Sequence, residues 1–412
     1  MLLVLNVNLN LNNEDNMARN YDKPILDEDN NPIKIAEVGD HHCIRCTKKA
    51  NAFKKIGYKV YGVGAKPAYG IDTYETYHMY KNQHQFKQTI KTLIDIGVKI
   101  ITWNNEPHHQ AVWTREVITE MGAKDKVKLV VDVHDSDLIR RTFAPLDEIN
   151  MFRVADGIIY ASLPIQNMLN RAYKVTVPYT TIYSYCNEGV VEYDETLERK
   201  NAMVYEGGAN PPENKEYEAA FKYRSLYHII KALVEQGNEV HAFLGNIDAY
   251  EPYCESGACI YPPTDYAEMM RALVKFKYGL CIFNNPQKDQ AQVQFTLTNK
   301  MFEYVQAGLP VLACYCKETE EYVKKHNIGF VFDKLEDIGN ASQLEEQYKE
   351  IYANLQIQRK ELVMENFIQR LESLYAGVLG IKGKSIDRET KKRHIEEYGK
   401  EEALRTFAYN KN

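Results

Sequence analysis

The residues best suited to chemistry stand close together in the second half of the chain. Thr298, Asn299, Lys300 and Glu303 open the run Thr296-Leu-Thr-Asn-Lys-Met-Phe-Glu-Tyr-Val-Gln-Ala-Gly-Leu-Pro-Val-Leu312. Small and polar residues begin it, a helix is predicted from Asn299, Gly308 ends that helix, and Pro310 leads into a buried strand. A helix N-terminus offers backbone N–H groups and a partial positive charge, which suits a diphosphate. Thr298 and Asn299 can cap or donate, and Lys300 supplies a full positive charge. Glu303, one turn further in, can accept from both hydroxyls of a ribose. The same run also reads as a plain capped helix with Glu303 on a solvated face.

A second set of reactive side chains follows two strand-like segments in the first half. Asp40-His41-His42 comes after one, and Val131-Asp-Val-His134-Asp135 contains another and its end. A histidine beside a carboxylate titrates in the range a general base needs, so His41, His42 and His134, with Asp135, are the catalytic candidates. Helix capping by the same polar groups is the plain alternative. Trp103-Asn-Asn-Glu-Pro-His-His109 is a further loop that could line a pocket. Cys43-Ile-Arg-Cys46 after the two histidines invites a metal or redox reading. Consecutive ligands suit tetrahedral zinc poorly, and no second Cys/His pair stands at finger spacing, so no metal site is assigned.

The elements that position these groups alternate between short β-branched runs and helical stretches, the pattern of parallel strands with crossover helices. In the first half strands are expected at Lys34–Gly39, Tyr58–Val63, Val98–Trp103, Val127–Val133, Gly157–Tyr160 and Thr176–Tyr185. Helices are expected at Cys43–Ile56, Gln83–Ile96, His109–Met121 and Ser136–Val154. An acidic, apolar-poor stretch, Asn187–Lys200, reads as a linker. The alternation then restarts, with strands at Ala202–Tyr205, Glu239–Leu244, Ala258–Tyr261, Tyr278–Phe283, Pro310–Cys314 and Gly329–Phe332. Between and after them come helices at Glu216–Glu235, Asp265–Lys275, Asn299–Ala307, Glu318–His326, Gln343–Leu379 and Thr390–Phe407. Two doubly wound α/β domains follow, 34–195 and 196–382, behind a poorly ordered arm over 1–33. A C-terminal helix over 383–412 is expected to pack back on the first domain. A ligand would lie between the carboxyl ends of the two sheets.

Asn299-Lys-Met-Phe-Glu-Tyr-Val-Gln-Ala-Gly-Leu-Pro-Val311 resembles the donor-site segment of GT-B glycosyltransferases, especially glycosyltransferase family 4. The resemblance implies two Rossmann-like domains facing a cleft and a nucleotide-sugar donor such as a UDP- or GDP-sugar. It implies no further cofactor and no metal, with Glu303 on the ribose and Thr298, Asn299 and Lys300 near the diphosphate. Met203-Val-Tyr-Glu-Gly207-Gly208 resembles the glycine turn of the donor domain. Cys259-Ile-Tyr261-Pro-Pro263 resembles the loop beside the base, which makes Tyr261 the base contact. Lys277-Tyr-Gly-Leu-Cys-Ile-Phe-Asn284-Asn285 resembles the strand carrying the sugar-facing loop. His134 and Asp135 are similar to the family's site-facing His-Asp.

Two departures stand out. Retaining members carry a second Glu eight residues before the ribose-binding one, where this chain has Phe295, so the stereochemical outcome is not implied. The basic pair after the glycine turn is also out of register; Lys215, Lys222 or Arg224 could substitute for it, although a solvent-facing charge is the readier reading of each. Competing readings are a nucleotide-sugar epimerase of the same architecture and a non-catalytic nucleotide-sugar-binding subunit.

Composition narrows the field. The 412 residues are 44% hydrophobic and 26% charged, the make-up of a soluble globular protein of about two domains. The net charge of −6, with no long basic block, gives no reason to expect a polyanion, so nucleic acid is a disfavoured partner. The acceptor is expected to be a glycan, a lipid-linked sugar or a small molecule. Met1–Leu5 is too short to span a bilayer and lacks a signal-peptide pattern, and the eight scattered cysteines read as reduced thiols, so the protein is expected in the cytoplasm. Lys48, Lys49, Lys54 and Lys55 make the first helix basic. Peripheral attachment to anionic lipid is one reading of them, and a solvated helix face is the other.

Overall fold

The computed structural model describes residues 23–408 apart from 68, 105, 142, 193, 195, 213–218, 340–343 and 382–385. Most of the arm assigned to 1–33 and the candidate Lys215 thus lie outside the described residues. The remainder of that arm, 23–33, packs onto the first domain, because Ile25 and Ile33 are apolar and face each other across a turn. Both are buried, and the Ile25 N–H donates to the Tyr58 hydroxyl at 2.8 Å.

Two wholly parallel sheets carry the chain. The first holds β1 (Lys34–Val38), β2 (Lys59–Gly64), β3 (Tyr77–Met79), β4 (Val98–Asn104), β5 (Lys128–Val133), β6 (Gly157–Tyr160) and β7 (Tyr179–Thr181), in the order β3-β2-β1-β4-β5-β6-β7. The second holds β8 (Lys200–Gly207), β9 (Val240–Leu244), β10 (Cys259–Tyr261), β11 (Phe276–Ile282), β12 (Val311–Cys314) and β13 (Gly329–Phe332), in the order β10-β9-β8-β11-β12-β13. Their central strands are near-continuous apolar runs because helices cover both faces, as the burial of β4, β5 and β11 shows. In each sheet the strand order reverses beside the first strand, at β1/β4 and β8/β11. A crevice opens there beyond the carboxyl ends of the strands.

Several expected elements are divided. Ser136–Val154 forms two helices, Asp137–Arg141 and Leu146–Val154, because Pro145 has no N–H with which to continue the first. Thr390–Phe407 breaks at Gly399, whose φ of +84° ends one helix before the next begins. Gln343–Leu379 becomes Glu345–Glu361 and Gln369–Leu379, and the latter crosses to pack on β6 and β7 of the first sheet. Strand β7 is only the centre of Thr176–Tyr185. The helix Leu163–Tyr173, capped by Ser162 and opened by Pro164, was signalled by those two residues yet was not anticipated. Among the described residues no helix is long and apolar enough to cross a membrane.

Candidate functional site

The crevices of the two sheets meet in one cleft of about 620 Å³, within the ~300–1,000 Å³ span of small-molecule sites. Its second-domain wall is built from the end of β8 and the helix Asn299–Ala307. Strand β8 ends in Glu206-Gly207-Gly208, and Gly207 has φ +124°, a conformation that favours a residue without Cβ. A Cβ at Gly207 would lie 3.3 Å from Lys300 Nζ, and one at Gly208 would lie 3.5 Å from Arg224 Nη1, so two cations flank the turn. Lys300 Nζ donates to the Tyr205 hydroxyl at 3.0 Å and lies 4.1 Å from the centre of that ring. Thr298 is the N-cap residue in extended conformation, yet its side chain makes no capping hydrogen bond. The leading N–H groups of the helix thus carry no side-chain cap, at an end where Thr298, Asn299 and Lys300 line the cleft.

Glu303 is buried rather than solvated, and Lys48 Nζ of the first-domain helix Ile44–Lys55 donates to its Oε1 at 2.9 Å. Glu206 is hydrogen-bonded to it. Burial first, and then the charge of Glu303, push the Glu206 carboxyl well up, so it holds the proton. Burial also disfavours charge on Glu303, but Lys48 and the Glu206 donor outweigh it and hold Glu303 ionised.

The first-domain wall rests on a buried ion network. Lys49 Nζ lies 3.1 Å from Glu37 and 2.5 Å from Asp132, and donates to Asn104 Oδ1 at 3.0 Å. Arg45 grips the same Asp132 through Nε and Nη2 at 3.3 and 3.2 Å and reaches Ser184 Oγ at 3.1 Å. Asp132 and His134 share a face of β5 and its extension, and His134 Nε2 lies 3.3 Å from Asp132 Oδ2. Burial opposes a charge on His134, but Asp132 and then Cys43 raise it to about 9, so at neutral pH it is an imidazolium.

The structure gathers most of the sequence-predicted residues here: His41, His134, Asp135, Gly207, Gly208, Thr298, Asn299, Lys300 and Glu303 all line the cleft. It sets three aside. His42 is buried, accepting from the Tyr74 hydroxyl at 3.0 Å and donating to the Val63 carbonyl at 2.9 Å, and burial drives it down to about 4. Tyr261 lies outside the lining, stacked on Phe243 at 4.3 Å and bonded to His241 Nδ1 at 2.9 Å; Phe243, Pro263, Thr264, Tyr266 and Met269 line the cleft there instead. Asn284 also misses the lining, which takes Phe283 from that strand end.

Asp135 is not the carboxylate of His134. Gln292 Nε2 donates to it at 2.6 Å and Arg140 pairs with it, while Asp132 serves the histidine. Of the four lysines that make the first helix basic, Lys48 and Lys49 are buried and Lys54 and Lys55 stay exposed. Lys48 and Lys49 point inward to carboxylates, and Lys55 Nζ lies 2.5 Å from Glu365 Oε1. Arg224, readable from sequence as a solvent charge, stands at the glycine turn. The sequence reading missed Glu206 and Asp132, although each stands in a quoted strand-end motif: a charged residue inside an apolar strand was the signal. Phe295 turns away from the lining into the first-domain core, and the lining carboxylates among the described residues are Asp135, Glu206 and Glu303.

The family described as "Glucosyltransferase 3-like, C-terminal domain" matches residues 260–373, a span that includes the helix Asn299–Ala307. No curated protein matches the chain in sequence. Among solved structures, a glycosyltransferase from Rickettsia africae ESF-5 is similar with TM-score 0.56 at 11% identity, over 84% of this chain and 98% of that one. The catalytic domain of starch synthase IV from Arabidopsis thaliana, bound to ADP and acarbose, gives 0.57 at 10% identity over 84% and 99%. An α-glucosyltransferase in complex with UDP and a DNA containing an HMU base gives 0.53 at 13% identity over 84% and 95%. The solved structures establish the fold as GT-B, and the family segment in its second domain makes this enzyme a glycosyltransferase.

Proposed function

We propose that the enzyme transfers a sugar from a nucleoside-diphosphate sugar to an acceptor hydroxyl, with the donor seated against the second domain in the manner of family 4. The observation that carries this is the convergence of a helix N-terminus, a glycine turn flanked by Lys300 and Arg224, and a buried ionised Glu303 on one wall of one cleft. The diphosphate lies along Gly207–Gly208 and the N–H groups at Asn299 and Lys300. The ribose hydroxyls donate to Glu303. The base lies by Phe243, Pro263 and Thr264, in place of Tyr261.

Breaking the glycosidic bond places new negative charge on the departing diphosphate, and donors fixed in advance stabilise that charge best. Lys300, Arg224 and the helix N-terminus supply it, so transfer runs without a metal. His134, already protonated, donates to the sugar or the diphosphate instead of accepting a proton. The acceptor proton goes to His41, the imidazole in the cleft that stands outside the buried ion network. Acceptors without a large negative charge fit a chain of net charge −6.

Thermal shift with UDP, GDP, ADP and CMP, followed by hydrolysis and transfer assays on the sugar forms of the stabilising nucleotide, tests the proposal. One nucleotide should raise the unfolding temperature, and turnover of its sugar should persist in EDTA. A flat response to all four nucleotides overturns the donor assignment.

A further inference from the structure

Cys43-Ile44-Arg45-Cys46 stands in the cleft, and the proposed transfer leaves it unused. Cys43 occupies the N-cap position of the helix Ile44–Lys55, half-buried in the cleft lining, while Cys46 is fully enclosed one turn on. The Cys46 N–H donates to the Cys43 carbonyl at 3.0 Å, which fixes the spacing of the two residues, and their sulfurs lie 4.0 Å apart. Across the cleft floor His134 Nδ1 lies 3.6 Å from Cys43 Sγ.

These neighbours make the two thiols unequal. The hydrogen bond from Cys46 is the largest influence on Cys43 and holds it well below the usual thiol range; burial works against this, and the His134 imidazolium adds to it. Cys46 is pushed well up, first by burial, then by its hydrogen bond to Cys43 and by the charge of that thiolate. Thiol–disulfide exchange needs this division: one accessible sulfur that attacks as thiolate and one protonated partner close enough to resolve the mixed disulfide. A solitary nucleophile would need His134 and Asp132 but no second sulfur behind it.

We propose that Cys43 and Cys46 form a redox-active dithiol whose oxidising substrates are disulfides, with Cys43 attacking and Cys46 resolving. The Cys43 thiolate attacks one sulfur of an external disulfide RSSR, expelling RS⁻ and leaving Cys43–S–S–R. Cys46 loses its proton to solvent and attacks Cys43 Sγ, expelling the second RS⁻. The two protein thiols are oxidised by two electrons, RSSR is reduced to two thiols, and an intramolecular disulfide remains. Closure draws Cys43 toward Cys46 and removes the thiolate charge beside His134, so the cleft registers the redox state.

The test uses the full chain carrying Cys254→Ser and Cys259→Ser, which removes the two exposed thiols. It is equilibrated with mixtures of reduced and oxidised glutathione, quenched in acid, alkylated and mapped by mass spectrometry. Trypsin cuts after Arg45, so a Cys43–Cys46 disulfide appears as two peptides held together, and dithiothreitol should separate them. Adding Cys46→Ser, which cannot resolve the mixed disulfide but keeps a hydroxyl that can donate to Cys43, should instead trap glutathione on Cys43. At about pH 6, Cys43 in that variant should react with 5,5′-dithiobis(2-nitrobenzoate) about tenfold faster or more than Cys254 in the wild type. Oxidation that ends as a glutathione adduct with no linked peptides overturns the proposal, as does a Cys43 no faster than Cys254. The linked peptides are read in a chain that keeps both cysteines, so the test stands even if Cys46→Ser does not fold.

Discussion

At the scale of single residues, the cleft is governed by which charges are buried together. Glu303 is paired with Lys48 from the other domain, so the carboxylate proposed to take the ribose hydroxyls also holds a buried cation. Glu303→Ala should weaken nucleotide binding about ten- to a hundredfold, the equivalent of one charge-assisted hydrogen bond of about 1.5–3 kcal/mol. It should also lower stability by about 3–5 kcal/mol, because Lys48 is left buried without its partner. The double change Lys48→Met with Glu303→Met separates the two effects: stability should recover while binding stays weak, read by denaturation and calorimetry on the same samples.

His134 makes a prediction with a definite sign. Its pKa is raised from 6.5 to about 9 in the folded protein, so folding favours the protonated form. The stability it contributes is complete below about pH 6.5 and is lost as pH rises through about 9. The difference in unfolding free energy between wild type and His134→Gln should therefore be flat on the acid side and shrink across that window. A difference that grows with pH would contradict the ion pair with Asp132. At fixed pH, His134→Ala should lower kcat more than it weakens donor binding.

At the scale of elements, the helix Asn299–Ala307 is held by close packing against β11. A Cβ at Gly279 would lie 2.3 Å from the Tyr304 ring, so that strand position admits glycine and little else. The Tyr304 hydroxyl accepts from the Glu206 N–H at 2.9 Å and ties the helix to the strand that ends in the glycine turn. Gly279→Ala should displace Tyr304, cost about 1–3 kcal/mol of stability as overpacking does, and weaken nucleotide binding although no ligand contact changes. Calorimetric stability and nucleotide affinity should fall together. An affinity unchanged at lower stability would show that the helix and the turn are positioned independently.

At the scale of the whole molecule, the chain leaves the second domain through the helix Gln369–Leu379 and returns to the first. Arg370 is fully buried there; its Nε donates to the Thr181 carbonyl at 2.6 Å and its Nη2 lies 2.7 Å from Glu402 Oε1. Phe53 stacks on Tyr375 with ring centres 5.5 Å apart, and the Tyr58 hydroxyl donates to Glu372 at 2.6 Å. These contacts join the C-terminal helices to the β6–β7 side of the first sheet and to the helix Ile44–Lys55, which bears Cys43 and Lys48. Arg370→Ala leaves the buried Thr181 carbonyl without that donor, while Glu402 keeps Arg405, and should cost about 1–3 kcal/mol, seen as a lower unfolding temperature. Nucleotide binding per residue of folded protein should be unchanged, since Arg370 does not line the cleft.

Most of the α/β alternation was legible in the sequence because parallel strands buried on both faces must be continuous apolar runs, and the helices between them keep their own period. Elements signalled by a few residues were not legible: β3 is only three residues long, and Leu163–Tyr173 was marked by Ser162 and Pro164 alone. The donor segment was legible because it is local: Thr298 to Glu303 lie within two turns of one helix, and helix geometry brings them to one end. What only the tertiary structure decided was every pairing between distant residues. Lys48 and Lys49 read as solvated charges until Glu303 and Asp132 were brought to them from 255 and 83 positions away. Asp132 rather than Asp135 became the partner of His134, because alternate strand residues share a face and neighbours do not. A sequence lists charges in order along the chain, but burial and distance choose which of them neutralise one another, and on that choice rest the proton on His134, the charge on Glu303 and the reactivity of Cys43.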